Sequence, residues 1–193
     1  MHSDGDGWVV SERGTYHWGV YGAAGLLLRA PWHDGTPAVL LQHRAPWSHQ
    51  GGTWALPGGA RGGREEPHEA ALREAREEAG LDRERIEIHA CIETMSVPAR
   101  GGGAWTYITV VAEVAEMLAT VPNGESSELR WVPEREVDDL DLHPGFRASW
   151  HRLRITEAVP PHSCGMERPH ALVVAERTFW CSAADLSEQT AQP

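Results

Sequence analysis

The chain contains no lysine: all 17 of its basic residues are arginine. That absence removes at once the phosphate-binding lysine of a P-loop, a Schiff-base lysine and the strand lysine of a protein kinase. Any phosphate chemistry must draw its positive charge from arginine or from metal ions. Cysteine is scarce too. Cys91, Cys164 and Cys181 are an odd, scattered set that does not form a disulfide framework. His162-Ser163-Cys164 with His170 lacks the paired spacing of a zinc site and reads as a polar, proline-rich loop. Long apolar runs are missing: the longest candidate, Tyr107 to Leu118, is interrupted by Glu113 and Glu116, so no membrane span is expected. Asp4 and Asp6 stand where a secretory signal would carry cations, and a cytoplasmic protein is the expectation. Positive charge is in deficit, with a formal net charge of −11, which argues against a sequence-independent grip on nucleic acid.

What is present fits one globular domain: 193 residues, 41% hydrophobic. Residues 1 to 16 lack a clear period and read as a loosely structured lead-in. Strand-like runs follow at Gly19 to Leu28 and Ala38 to Gln42, separated by a turn at Pro31 to Gly35, which suggests antiparallel pairing. Trp54-Ala55-Leu56 reads as a short strand ended by a tight Pro57-Gly58-Gly59 turn. Pro67 to Ala79 carries the strongest helix signal, with proline suited to the first turn and Gly80 to the position just past the end. Strand-like runs resume at Ile86 to Met95, Trp105 to Val114 and Leu129 to Val132. Pro133 to Leu140 suggests a short acidic helix, and Gly145 to Ile155 a second amphipathic one. Beyond Ala158 the composition shifts to proline, serine and glycine, with one apolar run at Ala171 to Ala175. The order of elements predicts a mixed α/β layered domain.

On an ideal helix, at about 100° per residue, Ala71, Leu72, Ala75 and Ala79 share one arc, a plausible core face. Glu74, Glu77 and Glu78 share another arc that holds no cation. Glu69 with Arg73, and Arg73 with Glu77, form i,i+4 pairs on the remainder. Like charges at i,i+4 cost a few tenths of a kcal/mol per pair. A helix that is merely solvated could relieve this by placing arginine there. Clustered carboxylates are what Mg²⁺ takes as ligands, hard and anionic. The Pro57-Gly58-Gly59 turn could aim a backbone carbonyl at the same ion, and Glu65 could reach back as another oxygen ligand.

Gly59, Glu65, Arg73, Glu74, Ala75, Glu77, Glu78, Gly80 and Leu81 fill every defined position of the Nudix box, G-x₅-E-x₇-R-E-U-x-E-E-x-G-U, without a gap. Residues 17 to 156 resemble MutT-like Nudix hydrolases, leaving the lead-in and a C-terminal extension from 157 to 193 outside. The resemblance implies a mixed sheet sandwiched between helices, an α/β/α arrangement, and hydrolysis of a diphosphate linkage with Mg²⁺ or Mn²⁺. Carried over by position, Glu77 and Glu78 would be metal ligands and Glu74 a ligand or the base that deprotonates water. Arg73 would orient the glutamates, for instance through Glu77, and Gly58 or Gly59 would supply a carbonyl. Glu65, and Glu125 or Glu128 from a later loop, would be further carboxylates. One departure concerns the residue before Glu65: it is Arg64 where many members have glycine, which leaves the role of Glu65 open.

With no lysine, Arg44 is the candidate phosphate contact. Trp47, Trp54 or Trp105 could stack a base, although core packing suits most of the nine tryptophans. Markers of three subfamilies are not in place: Ser96 stands where a proline would mark ADP-ribose hydrolases, with Pro98 close by; Val97, Pro98 and Ala99 stand where a tyrosine would mark dinucleoside polyphosphate enzymes; and the NADH-type run is absent. The residual expectation is a MutT-type (d)NTP pyrophosphohydrolase acting on a small-molecule nucleotide. An ADP-ribose or nucleotide-sugar pyrophosphatase, or a non-catalytic nucleotide-binding regulator, is the alternative. No nucleic-acid or membrane partner is expected. The tail could mediate a homodimer or cap the site.

Overall fold

A computed structural model describes residues 4–155, 170–174 and 177–181, the last two segments as backbone only. Among the described residues, eleven strands run in chain order: β1 (Trp8–Val10), β2 (Tyr16–Trp18), β3 (Ala23–Pro31), β4 (Pro37–Arg44), β5 (Trp54–Ala55), β6 (Gly58–Ala60), β7 (Glu87–Pro98), β8 (Ala104–Glu113), β9 (Ser126–Pro133), β10 (His170–Val174) and β11 (Arg177–Cys181). Helices α1 (Pro67–Ala79) and α2 (Pro144–Leu153) cover the sheet, and short 3-10 turns occupy Arg83–Arg85 and Glu134–Asp139.

The main sheet is mixed, with strand order β5-β4-β3-β8-β7; β6 adds to β3 and β9 to β4. β3 and β8 run parallel, and the other pairs antiparallel, including the β3–β4 pair that the sequence suggested. β3 is buried along nearly its whole length, as a central strand covered on both faces must be. Alternation sorts its side chains: Ala24, Leu26 and Leu28 pack toward α1, while Leu27 packs toward α2. β4 repeats the pattern, Leu40 facing α1 and Val39 and Leu41 facing α2. The outcome is the three-layer sandwich implied by the resemblance.

α1 has the bounds read from the sequence. Glu69 Oε2 accepts from the Glu66 N–H at 3.0 Å, which secures its first turn. Gly80 at φ 68° ends it in the left-handed conformation that glycine adopts without strain. Ala70, Ala71, Ala75 and Ala79 are buried, and these small side chains seat the helix closely on β3 and β6. The expected acidic helix at Pro133 to Leu140 is the 3-10 turn Glu134–Asp139.

Two local expectations fail. The expected loose lead-in, residues 1–16, instead contributes β1 to an ordered antiparallel hairpin over residues 8–18, in which Trp8 pairs with Trp18 and Val10 with Tyr16; ring packing between the two strands holds it, which no period in the sequence reveals. Pro57-Gly58-Gly59 is also not a tight turn: Gly58 and Gly59 lie in β6, paired with Gly25 and Ala24. The segment His162-Ser163-Cys164, weighed above as a zinc fragment, lies outside the described residues. No described helix is long and apolar enough to cross a membrane.

Candidate active site

The site forms where the carboxylate arc of α1 meets the ends of β4 and β6. Glu78, the penultimate residue of α1, is only 3% exposed although it is a carboxylate. Two donors satisfy it: Gln42 Nε2 at 3.0 Å to Oε1, and the Gly58 N–H at 2.8 Å to Oε2. Alternation explains Gln42. It shares the parity of Leu40 and so projects from β4 toward α1, where its amide also donates to Ser126 Oγ at 2.8 Å. Burial, reinforced by the neighbouring Glu74 charge, pushes the Glu78 carboxyl up to about 7 against these hydrogen bonds.

Arg73 organises the other carboxylates. Its Nε and Nη2 donate to Glu65 Oε1 at 2.8 Å and Oε2 at 3.0 Å, a bidentate clamp. Nη1 donates to Glu74 Oε1 at 2.6 Å, and Nη2 also reaches the Ala60 carbonyl at 2.9 Å. The expected Arg73 contacts with Glu69 and Glu77 are not those it makes. Glu69 caps the helix start, and the Arg73 fork instead spans the loop back to Glu65, where it offers two parallel hydrogen bonds. Arg73 hydrogen bonding, assisted by the Gly62 N–H, holds the Glu65 carboxyl below its ordinary range. Glu65 is thus tied to arginine and backbone rather than presented to the α1 carboxylates.

Glu74 lies against Gly59. A Cβ built on Gly59 would stand 2.5 Å from Glu74 Oε1 and 2.6 Å from its Cδ. That glycine is required by the carboxylate beside it, since its own backbone is an ordinary strand. Burial raises the Glu74 carboxyl, opposed by Arg73 and helped by the charges of Glu77 and Glu125. Glu77 is exposed and has no hydrogen-bond partner among the described residues.

The later loop arrives by backbone hydrogen bonds. The Asn123 N–H donates to the Glu78 carbonyl at 3.2 Å, Asn123 Oδ1 accepts from the Glu125 N–H at 2.9 Å, and the Ala45 N–H donates to the Glu125 carbonyl at 2.9 Å. Glu125 therefore sits between α1 and the end of β4, and its charge is felt by Glu74. Glu128 does not join. Its two oxygens accept from Arg130 at 2.8 and 3.0 Å on the exposed side of β9.

Among the described residues, no three histidine, cysteine, aspartate or glutamate side chains are already gathered tightly enough to hold a metal ion. Glu65 and Glu74 are engaged with Arg73, and Glu78 with Gln42 and Gly58. The donor set still suits a hard divalent cation: it is all oxygen, it concentrates unneutralised carboxylate charge, and the buried Gln42 Oε1 beside Glu78 has no hydrogen-bond partner.

Arg44 closes the β4 end of the site. Its Nε donates to the His49 carbonyl at 2.9 Å, and its charge acts on Glu78, Tyr107, His49 and His143. Of the three tryptophans singled out, Trp54 packs in the core beneath Arg130, 4.5 Å from its ring centroid. Trp105 is buried, its Nε1 donating to the Trp18 and Gly19 carbonyls, and Trp47 is exposed. Sequence reading missed Gln42 and Tyr107. Gln42 had a signal: it ends an apolar run whose other members are all fully buried.

A model of the NUDIX domain family matches residues 22–153. A Mycobacterium tuberculosis protein bearing the name "Putative 8-oxo-dGTP diphosphatase 3" is 57% identical, over 97% of this chain and 89% of its own length. The crystal structure of RenU, a Nudix hydrolase from M. smegmatis, superposes with a TM-score of 0.75 at 62% identity, covering 77% of this chain and 92% of that one. A C. elegans Ap4A hydrolase shares the fold, with a TM-score of 0.56 at 21% identity. Box, fold and relatives agree, and the chain belongs to the Nudix hydrolase family.

Proposed function

We propose that the chain is a MutT-type pyrophosphohydrolase that cleaves a (d)NTP between its phosphates, releasing a nucleoside monophosphate. The observation that carries this is the α1 carboxylate array, in which Glu74 and Glu78 are each held in place by dedicated donors while Glu77 keeps both oxygens available. The name of the M. tuberculosis relative makes an oxidised purine nucleotide the first substrate to test.

Glu74, Glu77, Glu78 and Glu125, with a Gly58 or Gly59 carbonyl, would hold Mg²⁺, with Mn²⁺ as a substitute. Such an ion, when bound, neutralises diphosphate oxygens and lowers the pKa of water. Arg73 sets the position of Glu74, which serves as ligand or as the base that takes a proton from the attacking water. Glu65 locks Arg73, so its part is to position the arginine rather than to ligate. Arg44 supplies the fixed positive charge that the missing lysines cannot, and meets the substrate phosphates. Gln42 holds Glu78 from below. We place the enzyme in the cytoplasm, acting on free nucleotides.

The test is phosphate-product release from a panel of nucleoside triphosphates (8-oxo-dGTP included), dinucleotides and nucleotide sugars with Mg²⁺, wild type against Glu77→Gln. Turnover of a triphosphate that collapses in the variant supports the proposal. Turnover confined to ADP-ribose or nucleotide sugars would move the assignment to the alternative substrates. No metal-dependent turnover by folded protein on any panel member would refute it.

A further inference from the structure

The hairpin β1–β2 lies N-terminal to the residues matched by the family model, yet it is built against the site. Its lead-in touches the Nudix-box loop: the Gly63 N–H donates to Asp4 Oδ1 at 3.1 Å. Four residues later Trp8 meets His49 edge-on, with ring centroids 5.4 Å apart. The segment therefore spans from the loop that carries Glu65 to the loop that follows Arg44 and carries His49. His49 in turn lies 6.3 Å from His143, the N-cap of α2, centroid to centroid. On the hairpin's other strand His17 stacks on Trp105 at 4.6 Å, and Trp105 neighbours Tyr107 at 6.3 Å. Arg44 is tied to the first ring set, its Nε donating to the His49 carbonyl at 2.9 Å.

Trp8 is 48% exposed and Trp18 39%, a large aromatic surface to leave in water. Burial is the main cause that lowers the pKa of His17, His49 and His143, so these imidazoles are neutral at pH 7 and do not compete with Arg44 for phosphate. Neutral rings beside an arginine, Trp8 against His49 and His49 against His143, suit a ligand with a flat base at one end and phosphates at the other.

We propose that this ring-lined mouth, with Trp8 and His49 on its rim, is a seat that stacks the substrate's nucleobase while Arg44 takes the phosphates. This rests on the nucleotide hydrolase reading. Trp8 is then a specificity residue supplied from outside the family domain, and Trp47, 71% exposed and without a ring partner among the described residues, is not part of the seat.

The experiment is isothermal titration of dGMP, 8-oxo-dGMP and base-free deoxyribose 5-phosphate into metal-free wild type, Trp8→Ala, Trp8→Phe and Trp47→Ala. Loss of one base–aromatic contact predicts about a tenfold weaker affinity of Trp8→Ala for both nucleotides. Trp8→Phe should restore most of it, deoxyribose 5-phosphate should bind all four alike, and Trp47→Ala should match wild type. In turnover, Trp8→Ala should raise KM and leave kcat unchanged. Trp8 lies outside both cores, so circular dichroism should show the main sheet folded in each variant, and Trp8→Phe retains a ring to pack the hairpin. Unchanged binding by Trp8→Ala, an equal loss for the base-free ligand, or a loss in Trp47→Ala instead would overturn the seat. If wild type turns over nucleotides and any of these results appears, the seat alone fails. If wild type neither binds nor hydrolyses nucleotides, the function fails with it.

Discussion

Replacing Gly59 by alanine should separate catalysis from stability. The added Cβ would stand 2.5 Å from Glu74 Oε1, whereas ordinary contact begins at 3.4 Å, so the carboxylate must retreat by about 0.9 Å. The obstacle is the end of a flexible side chain, and the backbone at Gly59 is regular strand, so the fold can yield without breaking. Loss of glycine's freedom in the unfolded chain even favours the variant by about 0.4–1 kcal/mol. The displaced group, however, is the one that Arg73 aims at 2.6 Å. A misplacement of about 1 Å in a catalytic group costs on the order of 10²-fold in rate. Gly59→Ala should therefore melt within a few degrees of wild type while kcat falls about a hundredfold. Gly58→Ala is the contrast: its Cβ would meet the Ala24 carbonyl and Gly25 Cα, backbone atoms that cannot move aside, so it should unfold at much lower temperature. Thermal melts and steady-state kinetics on the same preparations decide the matter. Full activity in a folded Gly59→Ala would refute the view that Glu74 must occupy its observed position.

Further outcomes follow from the same geometry. Arg73→Lys should remain folded yet lose on the order of 10²-fold in kcat, because one ammonium cannot make the bidentate clamp on Glu65 and still hold Glu74; an unaffected kcat in steady-state assays would disprove that role. Glu134→Ala should lower unfolding free energy by about 3–5 kcal/mol in urea titration, since it strands Arg29, 0% exposed, whose Nε bonds Glu134 at 2.6 Å. Joint replacement by Arg29→Met and Glu134→Leu should recover much of that loss. His143 accepts the Gly145 N–H on Nδ1 at 3.1 Å, and burial, then Arg44 and His49, depress it to about 4. The unfolded histidine binds its proton near pH 6.5, so the folded protein should lose stability as pH falls from about 6.5 toward 4. His143→Asn, which retains a capping acceptor, should flatten that part of the pH–Tm curve; a curve of unchanged slope would count against the assignment.

The sequence by itself determined α1 and its chemistry, because everything needed there is local. Pro67 and Gly80 bound the helix, the alanine arc fixes which side meets the sheet, and the spacing of Glu74, Glu77 and Glu78 puts three carboxylates on one arc. The antiparallel β3–β4 pair and the layered class were legible for the same reason: apolar runs and turn residues are short-range signals. Only the tertiary structure decided which carboxylates converge. The i,i+4 spacing offered Arg73 to Glu69 and Glu77, and the loop geometry gave the arginine to Glu65. Glu125 and Glu128 looked equivalent as later ligands until the backbone contacts of Asn123 and Ala45 brought Glu125 to α1 and left Glu128 to Arg130. Gln42 under Glu78, and Trp8 against His49, join segments 36 and 41 residues apart respectively. Such pairings are set by strand register and by burial on a shared face, and these exist only once the sheet has formed.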